Sequence, residues 1–273
     1  MTIPTCVLAS EGLRSHTTRG HDPDKFAEMG SLTKVVTGTI LMRLANAGVV
    51  SVDDPIDAWL PAAPGTKITL AQLADHTSGL PRLPPDVGFR DPYRSFTDDA
   101  LRDLLPSLDT LTVRPPGETE EYSNFGYAIL GAALAAATES RYEDLVAQHF
   151  LAPLGLEPGS MTPHPPQHRS LRRGLLGRTI TPWTLSGAIL PAAGLWATPR
   201  TMTALPRLVT DRLLGDPAPT WRRIGPMVWH NGATRASSVF AGALPNGRWI
   251  LMHRLHGSPS KTDRAALGWS SAG

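Results

Sequence analysis

From Ser31 to Gly48 the apolar residues recur at helical spacing. Leu32, Val35, Val36, Thr39, Ile40, Arg43 and Leu44 form one stripe, and Gly48 suits the position just past a helix end. Ser31 stands where an N-cap or first-turn residue belongs. The pattern predicts two more helices, Phe125–Thr138 and Tyr142–Phe150, the second stopped by Pro153 and Gly155. Short helical pieces at Leu70–Asp75 and Thr97–Leu105 punctuate a turn-rich stretch over 51–124. Short strand-like runs lie before and after this middle: Val7–Ala9 and Phe26–Met29, then Gly194–Thr198, Met227–His230, Ser238–Leu244 and Trp249–His253. Pro245-Asn-Gly-Arg248 between the last two reads as a hairpin turn. Segment 157–182 carries Pro165, Pro166, Arg169, Arg172, Arg173 and Arg178 with little periodicity and reads as a loop or lid.

Strands at both ends with helices between them predict an α+β/α architecture: an antiparallel β-sheet flanked by helices and built from both chain ends, plus an inserted all-helical domain. The sheet domain is expected over 1–60 and 185–273 and the helical domain over 61–184, with the active site between them. A chain of 273 residues is long enough for this. No internal repeat is visible.

Composition narrows the classes. Hydrophobic residues at 41% and charged residues at 18% belong to an ordinary globular protein, and a net charge of +2 is too balanced for a nucleic-acid-coating surface. The longest uncharged apolar stretch, Phe125–Thr138, falls short of the ~18 residues needed to cross a bilayer. A single cysteine, Cys6, excludes an internal disulfide framework. The start Met1–Leu8 has no basic n-region and no apolar core, so a cytoplasmic location is expected, with neither nucleic acid nor membrane as a partner.

None of the four lysines, Lys25, Lys34, Lys67 and Lys261, follows a glycine, so there is no Walker A loop. G-x-G-x-x-G, H-E-x-x-H and G-x-S-x-G are also missing. Ser31-Leu-Thr-Lys34 instead places a hydroxyl and an amine on one helix face, about a turn apart. A serine needs a base, and a lysine serves only where its surroundings favour the neutral amine. The weaker match Ser258-Pro-Ser-Lys261 lacks a long apolar helix to bury its lysine. Tyr122-Ser-Asn124 precedes the Phe125 helix; its phenol suits proton relay and its carboxamide suits orienting a lysine or a substrate carbonyl. His230-Asn-Gly232 ends a strand, and the Ala233 amide is the natural partner of the Ser31 amide in an oxyanion hole. Trp183, Trp196 and Trp229 read either as an aromatic wall or as core. Arg235 reads as a carboxylate clamp or as a solvated side chain. No carboxylate or cysteine completes a ligand set around His253/His256 or His164/His168, so no metal or cofactor is expected.

These motifs, together with Leu73-Ala-Asp-His-Thr-Ser-Gly-Leu-Pro81, Pro153-Leu-Gly-Leu156 and Ala193-Gly-Leu-Trp-Ala-Thr198, resemble in the right order the serine β-lactamase-related family, the group of class C β-lactamases, D-alanyl-D-alanine carboxypeptidases and family VIII-type esterases. The resemblance implies a β-lactamase/transpeptidase-like fold. It also implies Ser31 as acyl-enzyme nucleophile, Lys34 as its base partner, Tyr122 as proton relay, Asn124 as substrate-orienting residue and His230 as the lining residue where other members carry lysine. Leu73–Pro81 would be structural support.

Compared with that family, only thirty residues precede Ser31, Ala233-Thr-Arg235-Ala replaces a glycine-rich run, and the tail after Met252 is short and polar. A thinly covered sheet face, open to a homodimer, is the expectation that follows. The expected function is a serine hydrolase or acyltransferase on a small-molecule ester or amide, in biosynthesis (antibiotic biosynthesis included) or detoxification. The alternatives are transfer to an amine or alcohol, a β-lactamase or peptidase, a metal hydrolase, and an inactive binding scaffold.

Overall fold

A computed structural model describes residues 3–88, 90–171, 174–175, 178–256 and 258–270. In chain order the strands are β1 (Thr5–Ala9), β2 (His16–Thr17), β3 (Ala27–Glu28), β4 (Met161–Thr162), β5 (Gly174–Leu175), β6 (Arg178–Thr179), β7 (Trp196–Ala197), β8 (Arg222–Ile224), β9 (Met227–Ala233), β10 (Ser238–Ala243) and β11 (Trp249–Arg254). The α-helices are α1 (Thr33–Asn46), α2 (Leu70–Ala74), α3 (Asp98–Leu104), α4 (Asn124–Ala137), α5 (Tyr142–Leu145), α6 (Leu190–Ala193), α7 (Pro199–Met202), α8 (Ala204–Thr210) and α9 (Pro259–Ser270).

The main sheet runs in the order β2-β1-β11-β10-β9-β8 with antiparallel pairings, so strands from both chain ends share it. The first strand meets the last, Thr5 opposite Arg254 through Ala9 opposite Ile250. Asn246-Gly247 turns β10 into β11, as the pattern predicts. Phe26–Met29 and Gly194–Thr198 behave differently: only β3 and β7 form there. With β4 they make a separate small sheet, because the chain coils into a 3₁₀ turn at Gly30–Leu32. Arg172 and Arg173 of segment 157–182 lie outside the described residues. Leu176 and Gly177 do too, and the described part carries β4, a 3₁₀ turn at Gln167–Arg169 and the paired strands β5 and β6.

Side chains alternate across a strand, which divides the main sheet into two faces. Val228, Val239, Ala241 and Leu251 join the large core shared with the helices. Val7, Met227, Phe240, Ile250 and Met252 face the other way and pack with Ala266 of α9. Helix α9 covers this second face over β9, β10 and β11, so the tail after Met252 is not bare of a helix. The helix hides in the sequence because its inner stripe is narrow and small: Thr262, hydrogen-bonded to Ser238 at 2.7 Å, and Ala266 one turn on. Lys261 of the second S-x-x-K match sits on the exposed side of the same helix.

Helix α1 runs through the large core and is buried on nearly every side from Thr33 to Leu41, broader than the predicted stripe. Helix α4 starts on Ser123, whose hydroxyl accepts the Gly126 amide at 2.8 Å. Short α6 lies between α4 and α1. Its C-terminal carbonyls have no helical partner, and side chains of α1 supply one: Thr37 donates to Pro191 O at 2.7 Å and Lys34 to Ala192 O at 2.8 Å. Gly131 permits this three-layer contact, since a Cβ there would overlap the Pro191 ring.

Gly131→Ala is therefore expected to lower stability by about 1–3 kcal/mol despite alanine's better helix propensity. A denaturant midpoint below that of the wild type, with an unchanged slope, is the result to look for.

Candidate active site

Ser31 occupies the middle of the 3₁₀ turn that leads into α1; Met29 and Leu32, not Ser31, hold the N-cap positions of the turn and of the helix. Its hydroxyl thus stays available. The turn is pressed against β9 through two glycines. Gly30 has φ +50°, and a Cβ on it would come within 2.7 Å of Ala233 N and O. A Cβ on Gly232 would overlap Met29 O and lie 2.8 Å from Leu32 N. Only residues without side chains allow this approach. The β9–β10 hairpin closes with the Thr234 amide donating to Ser237 O at 2.9 Å. Alternation along an antiparallel ladder then leaves Ala233 N–H off the β10 side, facing the stretch of β9 that β8 leaves unpaired beyond Trp229. The Ser31 turn and Ala233 are neighbours across this seam.

Lys34 is 0% exposed, and its Nζ lies 3.4 Å from Ser31 Oγ, 2.7 Å from Asn124 Oδ1 and 2.8 Å from Ala192 O. It has no ion pair among the described residues. Burial, and next the Arg82 guanidinium, hold its pKa well below the ordinary value. A neutral amine has two N–H bonds and one lone pair. With Asn124 Oδ1 and Ala192 O on its two N–H bonds, a neutral Lys34 would turn its lone pair to the Ser31 hydroxyl, which lies at 3.4 Å.

Tyr122 and Asn124 flank the cap residue Ser123. Burial raises the Tyr122 pKa, opposed by the Ser31 side chain and then by Arg82 and Arg222. Lys34 Nζ lies 4.9 Å from the Tyr122 ring centre, Arg82 5.0 Å and Arg222 5.7 Å. The Leu73–Pro81 segment backs this tyrosine: the His76 ring is 4.5 Å from it, and His76 Nδ1 accepts the Ser123 amide at 3.2 Å. His76 is itself held neutral by burial and by Lys34.

His230 is 2% exposed, with Nδ1 at 2.7 Å from Asn231 O. Burial, then Lys34, push its pKa down to about 3, so the imidazole is neutral. Ser31, Tyr122, Asn124, His230 and Ala233 line one cleft of about 520 Å³, with Lys34 beneath it and Gly232 in the seam. Two expected residues are elsewhere. Trp196 is tied into β7 between Glu28 and Thr162, and Arg235 points to solvent from the tip of the β9–β10 turn. Of Trp183, Trp196 and Trp229, Trp183 reaches the cleft; Trp229 stacks on Phe240 at 5.5 Å on the α9 side. His253 pairs with His21 at 2.9 Å in the interior, and no three metal-binding side chains converge among the described residues.

The structure adds Arg82, Tyr93 and Arg222 to the cleft. Arg82 directly follows the Leu73–Pro81 motif, and its carbonyl accepts the Asn124 amide at 2.9 Å, so motif adjacency was a usable signal. Tyr93 and Arg222 sit in segments without periodicity and carry no such signal.

Because Lys34 is charged in the unfolded chain below its ordinary value of 10.5 and neutral to lower pH when folded, the unfolded state binds more protons between the two pKa values. Stability is expected to rise with pH through that window, and the rise should end above 10.5 and below the depressed pKa. Lys34→Met should lose this slope in denaturant titrations from pH 7 upward.

Residues 11–270 match the Beta-lactamase family. D-alanyl-D-alanine-carboxypeptidase/endopeptidase AmpH of Escherichia coli strain K12 is 32% identical over 186 residues, 66% of this chain and 47% of its own length. Penicillin-binding protein 4* of Bacillus subtilis strain 168 is 29% identical over 133 residues, 47% of this chain and 29% of its own length. The chain thus spans about half or less of the length of these curated relatives. The solved β-lactamase/D-alanine carboxypeptidase from Yersinia pestis superposes with a TM-score of 0.79 at 18% identity, covering 98% of this chain and 92% of that one, a likeness of fold. With a family match over nearly its whole length and a β-lactamase/transpeptidase-like fold, the chain belongs to the Beta-lactamase family.

Proposed function

We propose that this protein is a serine acyl-enzyme hydrolase or acyltransferase acting on an ester or amide of a small molecule. The observation that carries the reading is the Lys34 amine, buried without a counter-charge, satisfied by two acceptors and facing Ser31. In the first step Ser31 Oγ bonds to the acyl carbon while its proton passes to Lys34, with Tyr122 beside both. The carbonyl oxygen takes the negative charge, held by the Ser31 and Ala233 amides. Collapse expels the alcohol or amine, which receives the proton through Tyr122. Water then releases the acid, or an amine or alcohol acceptor takes the acyl group; either regenerates Ser31. The setting we propose is intracellular biosynthesis or detoxification of a small molecule.

A peptidase reading has separate support. AmpH is named for D-alanyl-D-alanine carboxypeptidase and endopeptidase activity. Arg82 and Arg222, the latter paired with Glu120 at 2.7 Å, border the cleft, and Arg82 suits a substrate carboxylate.

Intact mass after brief exposure to a p-nitrophenyl ester tests the reading. One acyl adduct is expected on the wild type and none on Ser31→Ala; equal labelling of both would falsify the assignment of the nucleophile. Chasing the adduct with amines separates transfer from hydrolysis, and release of D-alanine from a D-alanyl-D-alanine peptide would favour the peptidase.

A further inference from the structure

Asn124 has one carboxamide and two neighbours for it. Its Oδ1 accepts from Lys34 Nζ at 2.7 Å, and its Nδ2 donates to the Tyr93 hydroxyl at 2.6 Å. Asn124 is 7% exposed and Tyr93 5% exposed, so neither group is easily satisfied by solvent instead. A carboxamide turns about a single bond, and its two ends have opposite hydrogen-bonding character. Lys34 can act as a base toward Ser31 only while its N–H bonds are taken up elsewhere. If the Asn124 amide swung away, the amine would lose an acceptor. If it flipped, its NH₂ would claim the lone pair that Ser31 needs.

We propose that Tyr93 is a positioning residue: its hydroxyl holds the Asn124 carboxamide so that Oδ1 stays on the Lys34 amine and the lone pair stays on Ser31. Tyr93 acts through Asn124, with no contact to the reacting atoms required. Its own O–H proton is left over for the cleft, which its side chain lines. The chain Tyr93–Asn124–Lys34–Ser31 joins the turn-rich segment before α3 to the nucleophile. The inference rests on the acyl-enzyme reading only for its kinetic consequence.

The groups around Lys34 set the sign of the test. Arg82, Tyr122, Tyr127, His76 and His230 face it, and none is acidic. Asn124 Oδ1 and Ala192 O are thus the acceptors that favour the ammonium. Loosening Asn124 removes one of them and moves the Lys34 titration to lower pH.

With four lysines in the chain, carbon-13 labelling at lysine Cε gives four signals, and Lys34→Met assigns the one of interest. In Tyr93→Phe the Lys34 midpoint is expected to fall by about one pH unit. Acylation by a p-nitrophenyl ester should slow on the order of tenfold, with its acid limb displaced the same way. In an Asn124→Ala background, Tyr93→Phe should leave the Lys34 midpoint where it is. An unchanged midpoint in a folded Tyr93→Phe protein overturns the proposal, as does an equal shift with and without Asn124. A moved midpoint in a protein whose wild type never acylates keeps the positioning role and sinks the proposed function instead.

Discussion

An amine buried without a counter-charge is the constraint around which this molecule is arranged. Taking an ammonium out of water is costly, and the usual remedy is a paired carboxylate. Here Lys34 has none among the described residues, and the nearby Arg82 guanidinium makes the charged form less favourable still. The protein accommodates the neutral form instead. It places a helix-end carbonyl on one N–H and a side-chain amide on the other, and leaves the lone pair at the serine.

That solution demands close packing on both sides of α1. On one side, α6 must press against α4 so that Ala192 O reaches Lys34, and Gly131 makes room for Pro191. On the other, the Ser31 turn must touch β9, and Gly30 and Gly232 make room for backbone against backbone. The placement of Ser31, Lys34 and Ala233 is therefore a consequence of the same pair of contacts. A mutation that loosens either layer disturbs stability and site together.

How much of this is legible in the chain depends on the kind of signal. Ser31, Lys34, Tyr122, Asn124 and His230 stand in ordered motifs, and all five come together. Trp196 and Arg235 also stand beside motifs, yet neither reaches the cleft: a strand pairing claims one and a tight turn exposes the other. Helix α9 goes unseen because small residues suffice to fill the space against the sheet. Tyr93 goes unseen because a lone tyrosine between turns looks like any other.

The sequence by itself determined which chemistry was available: a serine and a lysine on one helix face, strands from both ends for a single antiparallel sheet, and helices for the layer between. Local spacing carries that information, since helical and extended periodicities are short-range. Only the tertiary structure decided that Lys34 lacks a counter-charge among the described residues, that His230 is neutral, that α9 covers part of the sheet and that Tyr93 hydrogen-bonds Asn124. Those facts depend on contacts between segments far apart in the chain, where burial and approach distance, rather than residue spacing, set the energy.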